Sequence, residues 1–348
     1  MKIQESKVTF KSGRVITKYA LTNNNGMQVE LISLGATLTK IIVPDAAGNF
    51  ENVILDWQDL EVYESHPGYF GAVPGRTAGR IWNGQVTINN ETYYFYKNNN
   101  GNTLHGGKVS FAHRNFDCQA VIDQEGAKLV CSYLSPDGEE GYPGNLQVKV
   151  TYILKEDNSL TIDYEATTDK DTIVNLTNHA YFNLSGDAKR SVLEQEVYLN
   201  SDEIFATDEN LIPKGTMISV DDMPEFDFRV PKTIGQDINS NNEVLRYGNG
   251  YDHVYKLKDK GVAAKLFDSI SGRCMTVTTD APCVVVYTMN GADSSLMHSN
   301  GKSSKPNYGV CFETQRPAIG YEEVFKDLVL LKKDDVYTQT TTFKFGIL

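Results

Sequence analysis

Along much of the chain, apolar residues alternate with polar ones at every second position, the pattern of half-buried strands, while the longer period of an amphipathic helix is scarce. Residues 29–43 alternate loosely and are interrupted by Gly35, which reads as a bulge or a point of close approach. The run Gln85-Val-Thr-Ile-Asn-Asn-Glu-Thr-Tyr-Tyr-Phe-Tyr96 predicts two strands around an Asn-Asn turn. Residues 146–154 and 159–166 predict a second hairpin, joined by polar Lys155-Glu-Asp-Asn158. Further strands are predicted at 192–199, 275–279, 284–288 and 336–345, with short helical turns near 60–64 and 234–238. Many strands without intervening helices predict an all-β fold, a large antiparallel β-sandwich with few short helices. No linker, composition shift or fixed-period repeat divides the sequence, so residues 1–348 are expected to form a single domain.

Composition narrows the function. A formal net charge of −12 argues against nucleic-acid binding, which draws on Lys and Arg contacts to phosphates, and against a polybasic membrane surface. Five scattered cysteines (Cys118, Cys131, Cys274, Cys283 and Cys311) form no C-x-x-C pair, so neither a disulfide framework nor a cysteine zinc site is indicated. The start Met1-Lys-Ile-Gln-Glu-Ser lacks an apolar signal core, and no run approaches a membrane span. A cytoplasmic protein with reduced thiols is expected, without a nucleic-acid or membrane partner.

Five polar stretches stand out. Asn175-Leu-Thr-Asn-His-Ala-Tyr-Phe-Asn-Leu184 places His179 among amides within an otherwise strand-like run. An imidazole amid neutral hydrogen-bonding groups suits proton transfer to a polyhydroxylated ligand; it also suits a buried histidine satisfied by its neighbours. Gly75-Arg-Thr-Ala-Gly-Arg-Ile81 carries Arg76 and Arg80, functional groups or surface turn residues. His105 precedes Gly106 and Gly107, which either admit a ligand closely or close a tight turn. Asp252, in Tyr251-Asp-His-Val-Tyr255, reads as a ligand contact or a local cap. Glu313 follows apolar Val310-Cys-Phe and needs partners if buried. The six histidines show no H-x-x-x-H or H-x-H spacing, and there is no P-loop, Rossmann fingerprint or G-x-S-x-G elbow. No metal or cofactor is expected. His66, His113, His253 and His298 are assigned to structure or surface.

Together with Ser135-Pro-Asp-Gly-Glu-Glu-Gly-Tyr-Pro-Gly-Asn145, these stretches resemble the aldose 1-epimerase (galactose mutarotase) family in order and spacing, over most of the chain. The resemblance implies a β-sandwich of the mutarotase type that interconverts α and β anomers of free hexoses such as galactose and glucose. It implies Glu313 as catalytic base, His179 as general acid and His105 as a second active-site histidine. Arg80 and Asp252 would bind sugar hydroxyls, with Asn178 and Arg76 as further substrate-binding candidates. The partner would be a small sugar, and the protein a monomer or homodimer. With ordinary pKa values of roughly 4.3 for Glu and 6.5 for His, the required charges coexist best near about pH 5–6. At neutral pH a nearby carboxylate is expected to keep His179 protonated. The chain departs from the family at Gly79, where Asn is usual, and at Val285, where some relatives carry Gln. Pro74 and Arg316-Pro-Ala-Ile also differ. These departures touch substrate identity more than reaction type. A modified sugar or disaccharide, or sugar binding without catalysis on the same fold, are the alternatives.

Overall fold

A computed structural model describes residues 1–259 and 261–348. Among these, the largest sheet has nine strands, ordered Asp117–Ile122, Ala127–Ser135, Leu146–Leu154, Ser159–Thr168, Val336–Ile347, Arg273–Thr279, Gly261–Phe267, Glu196–Leu199 and Lys232–Thr233. A five-stranded sheet runs in sequence order from Lys2–Thr9 to Phe50–Asn52. Another five-stranded sheet is ordered Pro213–Ser219, Glu203–Thr207, Asp252–Lys256, Cys283–Tyr287, Cys311–Gln315. One apolar core draws on all three sheets, including Leu21 and Val29, Val148 and Ile162, Val284 and Phe312. Sheets burying their inner faces against each other make the β-sandwich that the alternation predicted. No helix among the described residues is long and apolar enough to cross a membrane.

Local chemistry explains several elements. Asn89 and Asn90 both have positive φ (51° and 63°), as a two-residue hairpin turn requires, and they join Gln85–Ile88 to Glu91–Tyr94. The hairpin of Leu146–Leu154 and Ser159–Thr168 closes over residues 155–158. Leu60–Glu64 is a 3-10 turn capped by Asp59, and Ile234–Gln236 forms another.

Three readings change. Residues 29–43 are two strands, Gln28–Ile32 and Thr37–Pro44, folded back through residues 33–36; Gly35 sits in that turn. The predicted strand at 192–199 begins as a 3-10 turn, Val192–Glu194, and becomes extended only over Glu196–Leu199. The run 175–184 forms no strand. It threads buried through the molecule, and its β-pairing is limited to isolated bridges such as Thr77↔Asn175 and Phe182↔Val310. Its amides replace the missing ladder: Asn175 Nδ2 donates to the Ala78 and Arg316 carbonyls, and Asn183 Nδ2 to those of Arg190 and Tyr308. Buried backbone needs such partners.

Candidate active site

The third sheet builds one wall of a cavity of about 220 Å³. Side chains alternate across a strand. Val284, Val286 and Phe312 therefore enter the core, while Asp252, Val254, Val285, Tyr287, Glu313 and Gln315 line the cavity. Register sets them in rows: Val254 lies beside Val285 and Val285 beside Glu313, and Asp252 lies opposite Tyr287.

The opposite wall comes from loops. The short ladder of Arg80–Ile81 with Thr103–Leu104 sets Arg80 beside Leu104, so that His105 follows at the cavity edge. The His105 N–H donates to the Gly79 carbonyl (3.0 Å), and the Gly79 N–H donates to His105 Nδ1 (3.2 Å). The turn needs glycine next: a Cβ on Gly106 would lie 1.7 Å from the Gly75 carbonyl oxygen. Arg80 Nε donates to Asn99 Oδ1 (3.1 Å), and its Nη2 lies 3.5 Å from Asp252 Oδ2.

His179 is fixed by its main chain. Its N–H donates to the Ala72 carbonyl and its carbonyl accepts from the Gly71 N–H, each at 2.9 Å. The ring stacks on Tyr181 (5.0 Å between centroids) and meets His105 edge-on at 5.2 Å. Its Nδ1 lies 3.5 Å from Cys311 Sγ, and its Nε2 3.5 Å from Glu313 Oε1. Both His179 and Glu313 are 4% exposed.

Burial sets the protonation of this pair. It pushes Glu313 up to about 8, helped by the Asp252 charge and opposed by Arg80. It pulls His179 down to about 4 against smaller opposing effects, a hydrogen bond and the Asp252 charge. Charged forms lose solvation in such a site. Between those values the pair holds one titratable proton, resting on Glu313. The expectation that a carboxylate keeps His179 protonated at neutral pH is therefore reversed, because desolvation outweighs the Asp252 charge. Burial likewise holds His105 well below the usual imidazole range.

His105, His179 and Glu313 place donor atoms within 4.8 Å of one another, a spacing that could hold a metal. The Gly79 N–H at His105 Nδ1 argues otherwise. It puts the neutral ring's proton on Nε2, leaving no lone pair there for a metal. His105 is built as a hydrogen-bond donor.

The family model for aldose 1-epimerase matches residues 17–344. The chain belongs to the aldose 1-epimerase family. It is 36% identical over 338 residues to the galactose mutarotase of Rattus norvegicus, covering 96% of this chain and 95% of that one. It is 34% identical to the aldose 1-epimerase of Escherichia coli K12, over 83% of each chain. The crystal structure of galactose 1-epimerase from Lactobacillus acidophilus superposes with a TM-score of 0.88 at 31% identity, covering 99% of both chains.

In this epimerase Glu313, His179, His105, Arg80 and Asp252 meet at one cavity. Two expected sugar ligands do not. Arg76 is 2% exposed and turned away. Its guanidinium donates to Ser135 Oγ and to the carbonyls of Ser135, Pro136 and Pro143 at 2.8–3.0 Å. Arg76 thus clamps the 135–145 loop, a motif that lines no part of the cavity. Asn178 is also fully engaged: Nδ2 donates to the Gly71 carbonyl (2.7 Å) and Tyr152 Oη (3.3 Å), and Oδ1 accepts from the Ala180 N–H (3.1 Å). It holds the chain that carries His179. Gly79 and Val285 do line the cavity. His253 is structural, with Nε2 3.1 Å from the Val244 carbonyl of the helix Glu243–Tyr247.

Sequence reading missed Tyr69, Tyr181, Thr207, Tyr287 and Gln315 in the lining. Period two from Val285 and Glu313 points to Tyr287 and Gln315. Tyr69 ends the short 3-10 turn Pro67–Tyr69 and carries no local signal.

Proposed function

We propose that Glu313 and His179 interconvert the α and β anomers of free aldoses as a base and acid that share one proton. The observation carrying this reading is the 3.5 Å separation of His179 Nε2 and Glu313 Oε1 on one cavity. The hydroxyl oxygen and the ring oxygen of an aldopyranose are bonded to the same carbon, so an acceptor and a donor that share one end of the cavity can serve both. Glu313 takes the C1 hydroxyl proton while His179 protonates the ring oxygen, and the C1–O5 bond breaks to give the aldehyde. After rotation about C1–C2, the ring closes on the other face and both protons return. Each transfer is typically worth about 10²- to 10⁴-fold.

The resting state, with Glu313 protonated and His179 neutral, has the same proton count as the state that opens the ring. It matches the protonation of the open-chain intermediate, from which closure proceeds. A cyclic substrate therefore needs the shared proton moved to His179 before opening. We assign His105 Nε2–H, Arg80 and Asp252 to the sugar hydroxyls, a reading supported by their position on the same cavity.

As an aldose 1-epimerase the chain is an isomerase. Free hexoses such as galactose fit better than phosphorylated ones, since Arg80 is the sole Lys or Arg among the described lining residues and it faces Asp252. We read residues 1–348 as one domain because Val336–Ile347 returns to pair with Ser159–Thr168 and Arg273–Thr279. All five cysteines are free, which supports a reducing, cytoplasmic setting. The test is polarimetry on freshly dissolved α-D-galactose and α-D-glucose. Wild type is expected to accelerate the change and Glu313→Gln to lose that acceleration. No acceleration by wild type with either sugar, or full activity in Glu313→Gln, would overturn the reading.

A further inference from the structure

Gln315 lies two residues beyond Glu313 on the same strand and lines the same cavity. It is 1% exposed, yet its Oε1 has no hydrogen-bond partner, while Nε2 donates to the Arg316 carbonyl at 3.2 Å. Buried polar groups in native proteins are nearly always paired, so an unpaired amide oxygen calls for an explanation. No donor lies within hydrogen-bond distance of this oxygen. A Cβ on Gly79 would lie 3.2 Å from Gln315 Nε2 and 3.2 Å from the Ala318 Cβ, so a side chain at 79 would crowd the amide. Val285, on the neighbouring strand of the same wall, is apolar. The last torsion of glutamine is broad and two-fold, so the amide turns its oxygen toward an incoming O–H without moving the chain.

We propose that Gln315 is a specificity-determining residue whose Oε1 accepts a hydrogen bond from a hydroxyl of the bound aldose. This rests on the placement of the anomeric centre at Glu313 and His179. Two strand residues span about 7 Å, so the hydroxyl read is one away from C1. Gly79 is then part of the same device: the missing side chain leaves Gln315 free for the sugar.

The experiment measures kcat/KM by polarimetry for wild type and Gln315→Leu on α-D-galactose and its 2-, 3-, 4- and 6-deoxy analogues. Gln315→Met, unbranched and of similar length, serves if the leucine variant folds poorly. Gln315→Leu is expected to lose about 10- to 100-fold on galactose, mostly through KM. One deoxy sugar is expected to show a similar loss with wild type and no further loss with the variant. Unchanged kcat/KM in the variant, or losses that multiply for every deoxy sugar, overturn the proposal. Glu313→Gln separates the two readings. If it is inactive while Gln315→Leu matches wild type on every sugar, only this inference fails; if it keeps full activity, the acid–base reading fails first.

Discussion

Replacing Glu313 with Gln removes a carboxyl that the folded chain holds protonated up to about pH 8, against an ordinary value near 4.5. Below about pH 4.5 both folded and unfolded chains carry the proton, and wild type loses nothing to this group. Between the two values the unfolded chain ionises and the folded chain does not, so wild-type stability falls by about 1.4 kcal/mol per pH unit. The loss is complete once pH has risen through the folded value. At pH 7 it amounts to roughly 3 kcal/mol, and above pH 8 to roughly 5 kcal/mol. Glutamine has nearly the same shape and no charge, so Glu313→Gln is expected to match wild type near pH 4.5 and to be more stable at neutral and alkaline pH. Urea unfolding of both proteins at pH 5, 7 and 8.5 reads the gap from the midpoints. A gap that stays constant with pH, or a variant less stable throughout, would show that the folded carboxyl is already ionised. The expected outcome is a site that gives up stability for reactivity.

The pH profile of kcat/KM for free enzyme and α-D-galactose is expected to be flat between about 4 and about 8. It falls below, where both His179 and Glu313 are protonated, and above, where neither is. A narrow optimum between the ordinary Glu and His values would refute this. Asp252→Asn removes a charge that raises both groups, so both limbs of that profile should move to lower pH while KM on galactose rises. Unmoved limbs would show that the Asp252 charge does not reach the pair. Arg76→Ala removes the guanidinium donor from the carbonyls of Ser135, Pro143 and Pro136, the last of which keeps the Glu139 N–H. At about 1–3 kcal/mol each, it should lower stability by roughly 3 kcal/mol or more in urea unfolding while KM stays within a few fold. A large rise in KM at wild-type stability would return Arg76 to the sugar.

The hairpins 85–96 and 146–168 were legible because a short polar turn joins two strand-like runs, whereas Ala127–Ser135 was not read despite its alternating burial. Lys2–Thr9 was not read either, because this edge strand is mostly exposed on both faces and shows no alternation. The run 175–184 misled for the opposite reason. Every residue in it is buried, and its amides pair with distant main chain in place of a ladder, which looks like an interrupted strand in sequence. Arg76 and Arg80 share a turn four residues apart, yet one clamps a loop and the other meets Asp252; spacing does not show which way a loop side chain points. The proximity of His179 to Glu313 joins residues 134 apart in sequence and is set by the threading of 175–184 along the sheet edge. Local spacing shows nothing of it, and the family resemblance alone suggested it.

Whether Glu313 and His179 work as one proton-transfer unit is tested most directly by polarimetry on α-D-galactose with Glu313→Gln, His179→Asn and the double variant. Residues that act as a unit are strongly non-additive. Each single variant is expected to lose about 10²- to 10⁴-fold in kcat/KM, and the double variant no more than the worse of the two. Losses that multiply in the double variant, or wild-type turnover in either single variant, would contradict the pairing.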